Sequence, residues 1–187
     1  MALGLTPSQT IGPFYFGTLI KAYRCELAPA GVPGERVDVV LELHDAQGAV
    51  VPDGLFELWQ ANSHGRYNHP DDRRNLPLDS GFEGFGRAST WTDGCARFHT
   101  IKPGRVPWPE GGLQAPHINV SIFARGLLNR VATRLYFEGD PALGEDPVLK
   151  RIEAARRNTL IAKKETDGTW RLPIHLGGPK ETVFFDI

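Results

Sequence analysis

The sequence predicts an all-β fold, a two-sheet β-sandwich with one short helix and long loops, and three observations carry that expectation. Valine and leucine alternate with polar residues in several short runs, the period of a half-buried strand. The runs are separated by turn-forming stretches, and 21 Gly and 15 Pro among 187 residues supply breaks that a helical bundle would not tolerate. Only one segment combines helical spacing with a recognisable start. A chain of this length buries a sizeable core without disulfides or metals, so residues 1–187 are read as a single domain.

Taken in order, the first stretch "LTPSQTIGPFYFG" sets Pro7, Gly12, Pro13 and Gly17 among aromatic residues, a composition that resists both helix and regular strand. Such an apolar, proline-stiffened arm needs a surface, either its own domain or a partner. "RVDVVLELH" at 36–44 alternates as a strand, and "DAQG" at 45–48 turns it into a hairpin. "GLFELWQAN" at 54–62 is a further strand, and 63–87, rich in Gly, Asp, Asn and Arg, reads as a long excursion of the kind that carries function. Strands follow at "CARFHTI" (95–101), "HINVSIFAR" (117–125) and "VATRLYFEGD" (131–140). The helix is placed over "DPVLKRIEAARRNTLI", with Asp146 as N-cap and Pro147 in the first turn. "LIAKKET" and "TWRLPIHL" form a hairpin about Asp167-Gly168, and "ETVFFDI" closes the chain as an apolar strand.

Bulk chemistry removes several function classes. With 21 Lys and Arg against 22 Asp and Glu, the net charge is −1 and no basic patch marks a nucleic-acid or anionic-membrane surface. No apolar run approaches the roughly 20 residues that span a bilayer, and "MALGLTPSQT" lacks the pattern of a secretory signal, so the expected location is cytoplasmic. Cys25 and Cys95 form no CxxC pair, which suits a reducing compartment and excludes a thiolate zinc site made by this chain alone. Nucleophile-elbow, phosphate-loop and HExxH patterns are missing.

What remains is a strand with an unusual polar face. In "APHINVSIF", His117, Asn119 and Ser121 point the same way. A His-x-His pair there would suit a metal, but asparagine is a poor ligand for a transition ion. Tyr67, His64, His69, His99 and His175 are the other side chains with metal or acid/base chemistry, and each taken alone is better read as an ordinary hydrogen-bonded residue. Arg134 in "TRLYF" is assigned to a structural ion pair. Spacing by itself leads no further than a β-sandwich without an assigned function.

The ordered series "TPSQTIGPFY", "FELWQANSHGRYNH", "GFGRASTWTDGCARFHTIKPG", "APHINVSIFARG" and "TRLYFEGDP" is similar to the intradiol aromatic-ring-cleaving dioxygenase family over nearly the whole chain. The resemblance implies a ferric site of two tyrosinates and two histidines, hard phenolate oxygens stabilising Fe(III) and imidazoles completing the shell. Carried over residue by residue, the first tyrosine falls on Tyr67 and the second on Val106, and the two histidines fall on His117 and Asn119. The family's supporting arginine, three residues before the first histidine, corresponds to Gln114. The set Tyr67, Val106, His117, Asn119 therefore reads as a vestigial site without metal and without catalytic residues of its own.

Heteromeric members of the family pair such a chain (α) with a homologous iron-bearing chain (β). The resemblance thus implies that Fe(III) is held by a partner β subunit, that protocatechuate and O2 are the small-molecule substrates, and that the arm 1–20 packs on the partner. By the same resemblance, Thr10, Gly12, Pro13 and Arg125 approach the partner's substrate cavity, where a guanidinium favours a substrate carboxylate. Two alternatives stand beside this reading. One is a free-standing, non-catalytic binding or structural β-sandwich, and the other is an autonomous enzyme that recruits His64 or His69 as substitute ligands.

Overall fold

The computed structural model describes residues 4–12, 17–19 and 21–186. Eight strands dominate it: β1 (Arg36–His44), β2 (Leu55–Trp59), β3 (Phe85–Ser89), β4 (Cys95–Ile101), β5 (His117–Phe123), β6 (Val131–Phe137), β7 (Ile161–Lys164) and β8 (Trp170–His175). They pair in the order β3-β2-β5-β6-β7-β8-β1-β4. The all-β expectation holds, but the pairing gives one continuous sheet and not two separate ones. β7 is the joint: it runs parallel to β6 at Tyr136–Ile161 and Phe137–Ala162, and antiparallel to β8 at Lys163–Arg171 and Lys164–Trp170. The end strands β3 and β4 are consecutive, joined by a tight turn in which Gly94 donates to the Trp91 carbonyl at 2.7 Å, so the sheet nearly closes on itself.

Three elements differ from the sequence expectation, each for a local reason. β3 begins inside the segment read as a loop and runs past its end, because Gly86 and Arg87 hide its period. At Gly86 an added Cβ would lie 2.6 Å from Leu27 Cδ1, so the glycine marks a close approach inside a strand and not a turn. The helix is shorter than its apolar spacing suggests, Pro147–Arg151 only, with Ile152 extended (φ −91, ψ 139) and a 3-10 turn at Ala154–Leu160. There Arg157 Nε donates to the Ile152 carbonyl at 2.9 Å, satisfying a group that would otherwise accept along a continuing helix. Among its described residues, 181–186, the terminal segment makes an isolated bridge, Ala132–Phe185, and no strand.

Alternation sorts each strand into two faces. Ile118, Val120 and Ile122 of β5 join Phe56, Leu58, Leu135, Phe137, Phe98, Leu41 and Leu43 in the main core. Burial of each such side chain contributes about 1.5–3 kcal/mol. His117, Asn119 and Ser121 point to the opposite face. Directly paired residues share a face, so Trp59, Asn119 and Arg134 form one row across β2, β5 and β6, and His117 and Tyr136 form part of the next. A small second core of Ala115, Tyr136, Ala142, Leu149 and Leu160 packs beneath the short helix.

Candidate functional site

That outer face of β2, β5 and β6 is roofed by the two long loops, 60–84 and 102–116, and a cavity of about 890 Å³ lies between. Its wall includes Trp59, Tyr67, His69, Arg74, Val106, Gln114, His117 and Arg134. The loops meet at two glycines. A Cβ on Gly65 (φ +78) would sit 2.1 Å from the Arg105 carbonyl oxygen, and one on Gly104 would sit 2.4 Å from Gly65 N, so only glycine permits this backbone contact. The excursion at 63–87 thus owes its ordered path to a few fixed points.

Three of the four vestigial positions, Tyr67, Val106 and His117, line the cavity directly. The fourth, Asn119, donates from Nδ2 to the Tyr67 hydroxyl at 3.4 Å and to the Trp59 carbonyl at 3.3 Å. The sequence alignment of these positions therefore corresponds to a real convergence in space. Burial raises the Tyr67 hydroxyl above its ordinary pKa, against the lowering effect of the Asn119 hydrogen bond and the Arg134 charge, so the phenol keeps its proton.

His117 is buried, at 3% exposure, and burial first and the Arg134 charge second depress its pKa to about 4. Its Nδ1 lies 2.8 Å from the Ala115 carbonyl, which can only accept, so Nδ1 carries the proton and the neutral ring leaves Nε2 as a bare acceptor. Ala115 is itself held by the buried carboxylate of Asp146, whose Oδ2 accepts its N–H at 2.7 Å.

The sequence reading set Gln114 at the position of the family's supporting arginine and Arg134 in a structural ion pair, and the structure joins the two. Arg134 Nη1 donates to Gln114 Oε1 at 2.7 Å and to the Tyr136 hydroxyl at 3.2 Å. Its assignment to an ion pair is not met: among the described residues Arg134 is hydrogen-bonded to neutral groups, and its guanidinium lies 5.7 Å from the Phe185 ring centroid. Sequence reasoning also missed Trp59, which stacks on Tyr67 with ring centroids 5.7 Å apart and planes at 12°. Both stand directly opposite Asn119 in the strand register, a tertiary pairing that sequence spacing does not carry.

The other candidates separate. His69 lines the cavity, an exposed ring edge-on to Trp59 at 6.4 Å. His64 is exposed and absent from the wall. His99 pairs with Asp38 at 2.6 Å and His175 stacks on His44 at 4.8 Å, both away from the cavity.

Asp72 anchors the Tyr67 loop. It accepts from Arg74 Nε at 2.8 Å and from the Tyr67 N–H at 2.8 Å, and the Arg74 hydrogen bonds are the main cause that holds its carboxyl at about 2. A depressed carboxylate contributes stability above its unfolded value, near 4, and loses that contribution as pH falls through the folded value. Acid unfolding followed by tryptophan fluorescence is therefore expected to steepen between about pH 4 and 2, and Asp72→Asn to flatten that limb.

Thr10 and Arg125 come together beyond the opposite end of β5, which at the usual rise per residue runs about 20 Å from His117 to Phe123. The Thr10 hydroxyl accepts from Gly126 N at 2.7 Å and reaches the Ala124 carbonyl at 3.5 Å, so it bridges the turn that carries Arg125. Arg125 is exposed and forms an ion pair with Asp53, its Nε 3.0 Å from Oδ2. Gly12 is exposed on the arm, and Pro13 lies outside the described residues.

The four vestigial positions do not fit a ferric ion. A phenol, an isopropyl group, an imidazole and an amide offer one oxygen that must first lose a proton and one ring nitrogen where Fe(III) requires a fuller hard-donor set, and the Arg134 charge beside them opposes a cation.

A family model described as Dioxygenase matches residues 13–172. The chain is 39% identical to the protocatechuate 3,4-dioxygenase alpha chain of Burkholderia cepacia, over 97% of each. It is 41% identical to the beta chain of the same organism's enzyme, over 73% of this chain and 59% of that one. Among solved structures, the dioxygenase domain of a carbohydrate-binding fusion protein from Streptomyces sp. SirexAA-E superposes with a TM-score of 0.63 at 24% identity, covering 83% of this chain and 88% of that one, a likeness of fold. From the order of its strands, the convergence of Tyr67 and His117 and these similarities, the chain belongs to the intradiol ring-cleaving dioxygenase family.

Proposed function

We propose that this chain is the iron-free α subunit of a heteromeric protocatechuate 3,4-dioxygenase. Identity alone does not separate α from β, since both relatives stand near 40%. The observation that carries the reading is the composition of the cavity wall: Tyr67 and His117 converge, while Val106 and the Asn119 amide fill the remaining ligand positions. Full-length agreement with the alpha chain, against partial agreement with the beta chain, points the same way.

In this reading Fe(III) resides in the partner β subunit, and the assembly opens protocatechuate with O2 between its two hydroxyl-bearing carbons to 3-carboxy-cis,cis-muconate. The α chain contributes from its other end. Thr10, Gly12, Pro13 and Arg125 form part of the wall of the partner's substrate cavity, and the arm 1–20 lies on the partner. The support is the clustering of Thr10 on the Arg125 turn, which holds the arm beside an exposed guanidinium. Arg125 Nε is engaged by Asp53, so the terminal nitrogens are the ones that would meet a substrate carboxylate. A cytoplasmic location fits the two free thiols, Cys25 and Cys95, and no helix among the described residues is long and apolar enough to cross a membrane.

Co-expression with a β homologue is expected to give a stable hetero-oligomer with iron in proportion to β, and Arg125→Gln in α to raise KM for protocatechuate by about tenfold, the scale of one charge-assisted hydrogen bond. The same variant is expected to leave turnover of catechol, which lacks the carboxylate, nearly unchanged. An isolated chain that is iron-loaded and active would overturn the reading.

A further inference from the structure

The cavity over β2, β5 and β6 has lost a metal's ligands without being filled in. Val106 and Asn119 are smaller than the tyrosine and histidine whose positions they occupy, and about 890 Å³ remains, within the range of ligand-binding cavities. The cavity wall also keeps charged side chains.

The family's supporting arginine is replaced by Gln114, yet a guanidinium is still delivered to the same spot from the neighbouring strand, because Arg134 Nη1 donates to Gln114 Oε1 at 2.7 Å. The wall carries three guanidinium groups, Arg73, Arg74 and Arg134, against two carboxylates, Asp71 and Asp72. Arg74 is neutralised by Asp72 at 2.5 Å, and Asp71 lies 3.6 Å from His69. Arg134, half-buried on the cavity floor, donates directly to neutral groups, and the buried Asp146 carboxylate reaches it only through the Tyr136 hydroxyl, so the guanidinium has no carboxylate partner of its own. A cation in a partly desolvated site attracts an anion more strongly than one on the open surface.

The rest of the wall sets the size and shape of that anion. The Trp59 and Tyr67 rings lie in stacked array, and Val106 and Pro107 add apolar surface beside them. Two polar groups remain for a second contact: the Tyr67 hydroxyl, which accepts from Asn119 and keeps a proton to donate, and the bare Nε2 of His117.

We propose that this cavity is a metal-independent binding site for a small aromatic monocarboxylate, whose carboxylate pairs with Arg134 and whose ring lies among Trp59, Tyr67 and Val106. Adjacent ring hydroxyls are not needed, because there is no metal for them to chelate. A ring hydroxyl, where present, donates to His117 Nε2. The site is separate in space from the Thr10 and Arg125 end of β5, and its occupancy does not depend on a β chain.

The test uses the full chain alone, treated with chelator, titrated with 4-hydroxybenzoate by calorimetry, with binding located by nuclear Overhauser contacts to the Val106 methyl groups. One saturable site with contacts to Val106 is expected. 4-Hydroxybenzyl alcohol, which keeps the ring and loses the charge, is expected to bind at least about tenfold more weakly, inorganic phosphate not to displace the acid, and Arg134→Gln to weaken the acid by about tenfold to a hundredfold. Arg134→Lys, which keeps the charge, is expected to recover part of that loss. Equal affinity for acid and alcohol, displacement by phosphate, absence of binding, or binding without contact to Val106 would each overturn the proposal. The comparison of acid with alcohol is made on the unaltered chain, so it stands whether or not the Arg134 variants fold. An active αβ enzyme whose α chain ignores 4-hydroxybenzoate would refute this site and leave the proposed function intact, and binding by a chain that joins no β partner would do the reverse.

Discussion

Ferric ion added to the isolated chain is expected to wash out through a chelating column and leave the protein colourless, whereas the pair Val106→Tyr and Asn119→His is expected to retain it and turn red. Removing a group that merely supports a ligand costs about 10–100-fold in metal affinity, so restoring two whole ligands should tighten binding by at least a hundredfold. Space is available, since Val106 borders a cavity of about 890 Å³. The Asn119 substitution acts twice. It supplies an imidazole, and it removes the amide that donates to the Tyr67 hydroxyl at 3.4 Å, leaving that oxygen to the metal. Metal binding must also displace the Tyr67 proton, which burial holds in place, and the Arg134 charge opposes the ion. For that reason the double variant is expected to bind more tightly as pH rises. Iron per chain by elemental analysis and the phenolate-to-iron charge-transfer band are the readouts. Near-stoichiometric iron in the unaltered chain would show that two ligands suffice and would remove the basis for an iron-free subunit.

How far the sequence carried this conclusion depends on which kind of information each residue holds. The proposed loss of ligands was legible because it is a matter of side-chain identity at motif positions: Val106 and Asn119 stand where the family's pattern has ligands. Most strand positions were legible too, because alternation is a local signal. β3 was not, since Gly86 and Arg87 break the apolar count, and the reason for Gly86 is a contact with Leu27, 59 residues earlier in the chain. The helix was over-read because Val148, Ile152 and Ala155 share helical spacing, but Arg157 takes the Ile152 carbonyl and the chain turns extended there. The continuity of the sheet through β7 escaped altogether. A four-residue strand paired on both sides is a tertiary fact with no pattern of its own.

The same limit applies to the site. Arg134 looked like any arginine on a strand, and its importance appears only when register sets it opposite Asn119 and beside Gln114. Asp146 was read as an N-cap, which is correct, and the cap turns out to be the smaller part of its role. One buried carboxylate ties the short helix, β6 and the segment leading into β5 together, and it does so directly beneath His117.

Asp146→Ala is accordingly expected to be the most damaging single substitution outside the main core. The carboxylate is fully buried and accepts from Ala115 N at 2.7 Å, Leu149 N at 2.8 Å, Val148 N at 2.9 Å and the Tyr136 hydroxyl at 3.3 Å. Loss of an N-cap costs about 1 kcal/mol. Leaving the Ala115 N–H and the Tyr136 O–H buried without an acceptor adds about 1–3 kcal/mol each. A total of about 3–7 kcal/mol corresponds to a drop in Tm of about 10–20 °C for a chain of this size. Asp146→Asn keeps the cap oxygen but turns an amide toward a donor, so an intermediate loss is expected. The substitution also reaches the cavity, because the Ala115 carbonyl that fixes the His117 tautomer is released when its own N–H is no longer held. Thermal melts rank the three proteins, and the nitrogen-15 shifts of the His117 ring report the tautomer. If Asp146→Ala melts within a degree or two of the unaltered chain, water has replaced the carboxylate and the floor of the site does not depend on it.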